Sequence, residues 1–294
     1  MKSTRGEKIF YIVNNIVLAL VALTCLLPLI YIISVSLSSS SAVMSGKVFL
    51  WPVEFSLESY DLIFRGTPIL RGLLNSLVIT VVGVALSMVF TILAAYPLSK
   101  SYLYARKAFT MLMIFTMLFG GGLIPSYLVV KSLGLIDSYW SLWLPGLVST
   151  YNMIVMRTFF TNIPSELEDA ARMDGCGELR LVAQIFLPLS LPCVATLSLF
   201  YAVSYWNMFR NVLIYINATA KYNLAVMVNN MIQNQTLLDP NFMQAEDISQ
   251  ATPQGVQTAG VMVMVVPIIL VYPFLQKYFV KGVMIGSVKG WFLT

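Results

Sequence analysis

The residues with most capacity for chemistry in this sequence are acids, and five of the thirteen lie in one short segment. They are Glu166, Glu168, Asp169, Asp174 and Glu178. Carboxylates act in proton transfer when a positioned partner completes the site, or in recognition when a basic surface faces them. The sequence has no histidine, which excludes Ser-His-Asp and Cys-His triads, histidine metal sites and HExxH zinc proteases. The acidic segment is therefore predicted to bind a partner.

The element that positions these acids is predicted to be a short helix that begins at Ser165. Ser165 and Glu168 have the spacing of a capping box, and acids in a first turn suit the helix dipole. Gly175 can adopt the left-handed conformation that ends a helix. A helix of about two turns is unstable in isolation, so this segment needs a surface to bind.

One face of this helix favours a protein partner. A narrow stripe with small side chains at its middle follows Leu167, Ala170, Ala171 and Asp174. Such a stripe fits a groove on another protein. The alternative is an amphipathic connector among lipid headgroups, but such connectors prefer basic polar faces and bulky apolar anchors.

The composition places the rest of the chain in a membrane. Hydrophobic residues make up 58% of the 294 residues and charged residues only 11%, against about a quarter in soluble domains. Six charge-free runs can each supply the roughly 20 apolar residues that cross a bilayer. The predicted spans are 10–35, 73–97, 108–130, 138–158, 187–209 and 256–277. A seventh run, 222–238, carries too many Asn and Gln residues for lipid and is predicted to be a loop.

The distribution of basic residues predicts the orientation. With the N-terminus inside, twelve of the eighteen Lys and Arg residues lie on inner segments and six on outer segments. This bias predicts that both termini are cytoplasmic, and it explains the net charge of +5 without a nucleic-acid partner. The first apolar run is longer than the core of a signal peptide, roughly 7–15 residues, so a retained helix is predicted.

The sequence contains no energy source of its own. It lacks a P-loop, the glycine-rich motif that holds nucleotide phosphates, and its glycine cluster Gly120–Gly122 is predicted to be a break in the third span at the outer face. An ion-coupled carrier or an intramembrane enzyme needs ionisable groups at mid-membrane, and none lies at the middle of the six spans. The chain is therefore predicted to be neither an enzyme nor a metal protein, and to depend on a separate ATPase.

Several side chains in the outer halves of the spans could bind a neutral sugar. Amides and hydroxyls form hydrogen bonds with such a solute, and aromatic rings stack on it. The candidate pathway residues are Asn75, Tyr151, Asn152, Tyr205 and Asn207. For aromatic residues near a span end, the alternative is an anchor at the membrane interface.

The acidic segment also carries a family resemblance. Asp169-Ala170-Ala171-Arg172-Met173-Asp174-Gly175, followed by Ile185-Phe186-Leu187-Pro188, resembles the signature of permease subunits in bacterial ABC importers. That signature reads Glu-Ala-Ala, two variable residues, Asp-Gly and, after a spacer, Ile-x-Leu-Pro. The sequence departs from it in having Asp169 for the glutamate and Cys176 for the usual alanine. The flanking Ile163-Pro164 resembles the carbohydrate-uptake branch of the family. The C-terminal segment 272–282 resembles the ends of permeases grouped with importers of complex oligosaccharides and polysaccharide fragments.

The resemblance implies an all-α membrane protein with six transmembrane helices and the fold of type I ABC importer permeases. Residues 1–294 would form a single transmembrane permease domain with a cytoplasmic coupling loop at 160–186. The residues implied in coupling to the ATPase are Glu168, Asp169, Ala170, Ala171, Asp174 and Gly175.

The implied assembly lies in the bacterial cytoplasmic membrane. It contains a second homologous permease, two ATP-binding subunits that hold ATP and Mg, and an extracytoplasmic solute-binding protein. The implied function is import of a sugar or oligosaccharide. The alternatives are an ABC permease for a non-sugar solute and, in a different class, an ion-coupled secondary carrier.

Overall fold

Helices make up the regular structure of the protein. A computed structural model describes residues 5–233 and 252–287, and in these ranges every regular element is helical apart from one isolated β-bridge between Ser38 and Phe55. The all-α class predicted from the apolar runs is confirmed for this part of the chain.

The helices are α1 (Arg5–Ser36), α2 (Ser40–Met44), α3 (Glu58–Gly66), α4 (Ile69–Ser99), α5 (Arg106–Leu118), α6 (Leu123–Ser132), α7 (Trp140–Trp143), α8 (Thr150–Thr161), α9 (Ser165–Met173), α10 (Glu178–Leu181), α11 (Leu187–Leu189), α12 (Leu191–Trp206), α13 (Arg210–Tyr215), α14 (Leu224–Gln233) and α15 (Pro253–Ser287). A π-helical segment, Val182–Phe186, joins α10 to α11, and a 3₁₀ turn, Thr219–Lys221, precedes α14.

Three helical segments are long and apolar enough to cross a membrane, namely Gly6–Ser36, Ile69–Ser99 and Pro253–Val271. Two bent helix pairs raise the number to at most five within the described ranges, against the six spans predicted. The most apolar stretch of α1 is 0% buried inside the chain. A helix that is apolar all round and yet uncovered is expected to contact lipid or another subunit.

The predicted third span, 108–130, is not one straight helix. A bend of 113° separates Arg106–Leu118 from Leu123–Ser132. Gly122 stands at this bend with φ of 82°, a left-handed conformation that glycine adopts without steric cost. The predicted break at the glycine cluster is confirmed, and it turns the chain through more than a right angle.

The predicted fourth span, 138–158, is divided into α7 and α8, with residues 144–149 between them. Pro145 has no N–H to donate, and its ring would clash with the carbonyl four residues earlier in a continuing helix, so one continuous helix is interrupted here. α8 has 12 residues and is about 18 Å long, which is shorter than a hydrocarbon core of about 30 Å.

The fifth span begins with a sharp turn. The segments Glu178–Leu189 and Leu191–Trp206 meet at 86° around Ser190. Pro188 and Pro192 flank this turn, and each removes one backbone hydrogen bond that would otherwise keep the helix straight. The chain therefore approaches α12 from the side before it enters the span.

The run 222–238, predicted to be a loop, instead contains α14. Asn223 begins this helix, because its side-chain oxygen accepts a hydrogen bond from the N–H of Val226 at 3.1 Å. The amide nitrogen of Asn223 donates to the carbonyl of Met208 at 2.7 Å. Leu224 and Val226 are buried. The prediction was wrong because the polar side chain that argued against burial finds its partners inside the protein. Residues 234–251 lie outside the described ranges.

The described residues group into two compact units. One lies within Met1–Leu70 and Met227–Pro267. Val35 in the last turn of α1 packs there with Ala42 and Val48. The carboxylate of Glu54 accepts hydrogen bonds from the hydroxyls of Ser39 at 2.6 Å and Ser41 at 3.0 Å, which ties the segment after α1 to the segment before α3.

The other unit lies within Arg71–Val226 and Ile268–Thr294 and contains the larger core. Members of this core from four helices, α4, α8, α10 and α12, are fully buried: Ile79, Met153, Met156, Leu181 and Leu197. All eleven residues predicted for coupling or for the solute pathway belong to this unit.

Candidate functional site

The acidic segment forms α9, which begins at Ser165 as predicted and ends at Met173. Pro164 is the N-cap residue, and no side chain caps the helix there. The predicted capping box is wrong because Glu168 does not turn back to the helix start. Its carboxylate instead binds Lys100 at 2.5 Å and Arg172 at 2.9 Å, since ion pairs hold it more strongly than a backbone N–H would.

Gly175 ends α9 as predicted. Its φ is 78°, its N–H donates to the carbonyl of Arg172 at 3.0 Å, and the N–H of Cys176 donates to the carbonyl of Ala171 at 2.9 Å. These two bonds are the pair that defines a Schellman motif. A Cβ at Gly175 would have no heavy atom within 4 Å. Glycine is required here by backbone conformation and not by lack of space.

The residues predicted for coupling do not share one face of α9. Ala171 is 6% exposed and packs in the chain's own core, and the Glu168 side chain is 16% exposed. The others are exposed: Asp169, Ala170, Asp174 and Gly175. The stripe predicted along Leu167, Ala170, Ala171 and Asp174 is therefore not a single surface. Successive helical residues are rotated by about 100°, so Ala170 and Ala171 point in different directions.

The exposed face carries a feature that the sequence analysis missed. Met173 is 89% exposed and Leu167 is 44% exposed, so large apolar side chains stand beside the acids Asp169 and Asp174. Exposed apolar groups rimmed by polar ones mark interaction surfaces. The signal was present in the signature segment itself, where Met173 is one of the two variable positions.

The charges on α9 shift the affinity of its side chains for protons. Partial burial alone would raise the pKa of Glu168, but hydrogen bonds from Lys100 and Arg172, together with their charges, hold it below its ordinary value. The hydrogen bonds from Arg172 to Glu168 and Glu178 raise the pKa of that guanidinium. Both groups are charged at neutral pH, so α9 is attached to the chain by ion pairs.

An aromatic cluster supports the inner side of α9. The rings of Tyr96, Phe160 and Phe186 meet edge to face, with centroids 5.2 to 6.4 Å apart. They come from α4, α8 and the π-helical segment. Such pairs add about 0.5–1.5 kcal/mol each beyond the burial of their surface. The C-terminal ends of α4 and α8 and the π-helical segment are therefore packed together next to α9.

The same unit contains a cleft of about 480 Å³ between α8 and α12. Seven hydroxyl, phenol or amide side chains line it, namely Ser149, Tyr151, Asn152, Tyr201, Ser204, Tyr205 and Asn211. The other lining residues are Gly146, Phe200 and Met208. Among the described residues, none that lines this cleft is charged, which suits a neutral solute portion held by hydrogen bonds and ring stacking.

The structure brings three of the five predicted pathway residues together in this cleft, Tyr151, Asn152 and Tyr205. Asn75 does not line the cleft, since its amide donates to the carbonyls of Ala220 at 2.9 Å and Tyr222 at 2.8 Å. Asn207 does not line it either.

The amide of Asn207 donates to the carbonyl of Val203 in its own helix, at 2.9 Å. Four polar residues of the cleft were not among the five candidates, namely Ser149, Tyr201, Ser204 and Asn211. Ser149 carried a readable signal, because it is a helix-capping residue type and its hydroxyl accepts from the N–H of Asn152.

A buried polar seam between α4 and α12 builds one wall of the cleft. The hydroxyl of Tyr205 lies 2.9 Å from that of Ser87, and the hydroxyl of Tyr201 lies 2.7 Å from that of Thr91. Bonds of this kind between membrane helices contribute about 0.6 kcal/mol each. A Cβ at Gly83 would lie 2.8 Å from the ring of Tyr205, so the two helices approach closely because position 83 has no side chain.

Asn152 is the buried polar group that points to a ligand. It is 5% exposed, it lines the cleft, and no hydrogen bond joins its side-chain amide to another residue in the described ranges. In the described ranges its amide atoms are not among the fully buried side-chain atoms without a partner, so they are accessible from the cleft. The amide of Asn152 is therefore available to a solute in the cleft.

Among residues 5–233 and 252–287, no three His, Cys, Asp or Glu residues come together as a metal site would require. The three cysteines are free thiols. In and around α9, Glu168 and Glu178 form ion pairs, whereas Asp169 and Asp174 are exposed.

Comparison with known proteins gives a consistent result over almost the whole chain. The family profile described as "Binding-protein-dependent transport system inner membrane component" matches residues 1–285. The polygalacturonan/rhamnogalacturonan transport system permease protein YtcP of Bacillus subtilis (strain 168) is 44% identical over 273 residues, which cover 93% of this chain and 96% of the relative. Protein LplC of the same organism is 42% identical over 292 residues, which cover 99% of this chain and 98% of the relative.

A solved structure agrees with the fold. It is the crystal structure of a bacterial ABC transporter involved in the import of the acidic polysaccharide alginate. One of its chains superposes with a TM-score of 0.87 at 33% sequence identity, and the match covers 95% of this chain and 99% of that chain. The family resemblance first noted in the acidic segment is therefore confirmed over almost the whole chain.

Proposed function

The chain belongs to the family of inner membrane components of binding-protein-dependent transport systems, and on this premise we propose that it is a permease subunit for sugars. It would be one wall of an ATP-driven ABC importer that moves a sugar or oligosaccharide across the cytoplasmic membrane. The observation that carries this proposal is the uncharged cleft with the unpartnered amide of Asn152, in a chain similar over most of its length to a polygalacturonan/rhamnogalacturonan permease.

The proposed topology has six crossings with both termini in the cytoplasm and a single transmembrane domain. Three helices and two bent pairs supply up to five crossings, and α8 with the broken segment before it would supply the sixth. A broken crossing is tolerated where its backbone is covered by protein or lines a cavity. Gly146 and Ser149 in that break do line the cleft.

The proposed coupling surface is the exposed face of α9. Asp169, Ala170 and Asp174 would face a cleft on the ATPase, and Met173 would enter its apolar part. Gly175 would end the helix at the correct place. Glu168 and Ala171 would act on the opposite side and hold α9 to the permease. Movement of the ATPase would then bias the permease between its inward-facing and outward-facing states.

The proposed assembly supplies the ATPase, the second half of the pathway and the solute-binding protein, none of which this chain is proposed to provide. Without a nucleotide motif, it would depend on two ATP-binding subunits that carry ATP and Mg. A second, homologous permease would close the pathway, and the uncovered surface of α1 offers one place for contact with lipid or with that subunit. An extracytoplasmic binding protein would deliver the solute.

Reconstitution in proteoliposomes tests the proposal. The chain would be assembled with its second permease, its ATPase and its binding protein, and uptake of a labelled oligosaccharide would be measured. We expect uptake that requires both ATP and the binding protein and that is unaffected by dissipation of the proton gradient. Uptake without the ATPase that collapses with the gradient would identify an ion-coupled carrier. ATP-dependent uptake of a non-sugar solute alone would identify the other alternative.

The cleft itself is tested by Asn152→Ala. Removal of one hydrogen bond to a neutral solute should reduce apparent affinity about 2- to 10-fold while the amount of assembled complex stays the same. Gln184→Ala removes an exposed amide of similar chemistry outside the cleft and serves as the matched control. Equal effects of the two substitutions would exclude Asn152 from the pathway.

A further inference from the structure

Lys100 is a buried cation outside the cleft and outside the exposed face of α9. It follows the last turn of α4 and is 7% exposed. Its ammonium group lies 2.5 Å from the carboxylate of Glu168, 4.0 Å from the ring centre of Phe186 and 4.5 Å from that of Tyr96. A buried charge is stable only when it is paired, so Lys100 needs Glu168 in this position.

The ion pair belongs to a closed ring of interactions. The second carboxylate oxygen of Glu168 accepts from Arg172 at 2.9 Å, and Arg172 also binds Glu178 at 2.6 Å. The other oxygen of Glu178 accepts from the hydroxyl of Tyr96 at 2.5 Å. Tyr96 is four residues before Lys100, so the ring starts and ends at the inner end of α4.

The ring attaches α9 and Glu178, the first residue of α10, to one end of a long helix. α4 has 31 residues, about 46 Å at 1.5 Å per residue. Nearer its middle, the hydroxyl of Ser87 contacts Tyr205 in the wall of the cleft. Arg157 of α8 donates to the carbonyl of Leu98 at 2.8 Å and fixes the same inner end. A displacement of α9 can therefore move the cleft wall, because packed and hydrogen-bonded groups connect the two without interruption.

We infer that Lys100 is a positioning residue for transport, which fixes α9 to α4 through Glu168 so that movement of α9 moves the cleft wall. This inference rests on the proposed function, because it assigns the internal half of the same coupling device. It changes the role of Glu168, whose carboxylate binds this chain's own α4 side and not the ATPase. The contact with the ATPase belongs to the exposed face of α9.

The test uses the complete reconstituted importer and measures both ATP hydrolysis and solute imported per ATP. Lys100→Met keeps the side-chain volume but leaves Glu168 without its buried partner. The double variant Lys100→Met with Glu168→Gln removes both charges, which buried pairs tolerate better than loss of one partner. Lys100→Arg keeps the charge. Lys107→Gln, an exposed cation on the same side of the membrane, is the matched control.

We expect the double variant to assemble in wild-type amounts and to hydrolyse ATP, while import per ATP falls at least about fivefold, the lower bound of typical coupling free energies. Lys100→Arg should restore most of the coupling, and Lys107→Gln should match the wild type. A double variant that is assembled and imports at the wild-type ratio would overturn the inference, since the ring would then be a structural brace alone. A wild-type complex whose import does not depend on ATP would instead overturn the proposed function.

Discussion

Replacement of Gly175 is a sharp perturbation of the coupling segment, because the structure separates backbone strain from steric clash at this position. Gly175 has φ of 78°, and a Cβ there would have no heavy atom within 4 Å. Alanine would therefore cost only the left-handed penalty of about 1–2 kcal/mol. Gly177 lies two residues away in equally open space but has φ of −76°, so Gly177→Ala carries no such penalty.

The cost should appear as easier opening of the last turn of α9. Hydrogen exchange of the N–H groups of Gly175 and Cys176, which form the Schellman bonds, reports the free energy of that opening. A loss of 1–2 kcal/mol corresponds to protection reduced by about 5- to 30-fold in Gly175→Ala. Gly175→Asn should lie between this variant and the wild type, because asparagine tolerates the left-handed region.

Exchange measured by mass spectrometry on the purified complex provides the assay, with Gly177→Ala as the reference. Gly175→Val, which adds β-branching to the same strain, should leave membrane abundance unchanged and abolish import. Equal protection of α9 in Gly175→Ala and Gly177→Ala would refute the assignment of strain to this residue. Wild-type import by Gly175→Val would show that the loop is a passive connector.

Three further predictions address orientation, the two faces of α9 and its charge. In a background with Cys25, Cys176 and Cys193 replaced by alanine, Trp51→Cys should react with an impermeant thiol reagent in intact cells and Tyr104→Cys should not. Both positions are at least 80% exposed but lie on opposite sides of the membrane in the proposed topology. Labelling of Tyr104→Cys would contradict the proposed orientation. Ala170→Trp should leave the permease folded and weaken ATPase binding. Ala171→Trp should displace α9 from the core, lower the free energy of unfolding by about 1–3 kcal/mol and so lower the melting temperature. Equal melting temperatures of the two variants would contradict the assignment of these residues to different faces of α9. The pKa of Glu168 is lowered in the folded protein, so its stabilisation of α9 should be complete above the unfolded pKa of about 4.3 and should be lost as pH falls through the lower folded pKa. Hydrogen exchange of the α9 amides should show this pH dependence, and Glu168→Gln should remove it.

Much of the fold follows from local patterns in the sequence. Charge-free runs identified three uninterrupted spans, because the exclusion of charge from lipid acts on each residue separately. The break at Gly120–Gly122 and the stop at Gly175 were readable because glycine alone adopts left-handed backbone without strain. Pro145 was an equally local signal for the division of the fourth span. It was overlooked because the span was predicted from the number of consecutive uncharged residues, which a proline does not interrupt.

The run 222–238 shows where residue counting fails. Its amides were judged too polar for burial, yet Asn223 is fully buried and bonded to Met208 and Val226. Whether a polar side chain is costly depends on partners that lie 15 and 3 residues away, and composition does not contain that information.

In the candidate site, too, some features follow from local sequence patterns and others only from contacts between distant residues. Residue types and spacing by themselves determined that α9 would exist and where it begins and ends. Only the tertiary structure decided that Ala171 and Glu168 face inward, that Lys100 is the partner of Glu168, and that Asn152 stands in a cleft while Asn75 holds two carbonyls. The physical reason is range: helix propensity, capping and glycine conformation act within a few residues, whereas Lys100 meets Glu168 across 68 positions, a contact set by how the helices pack.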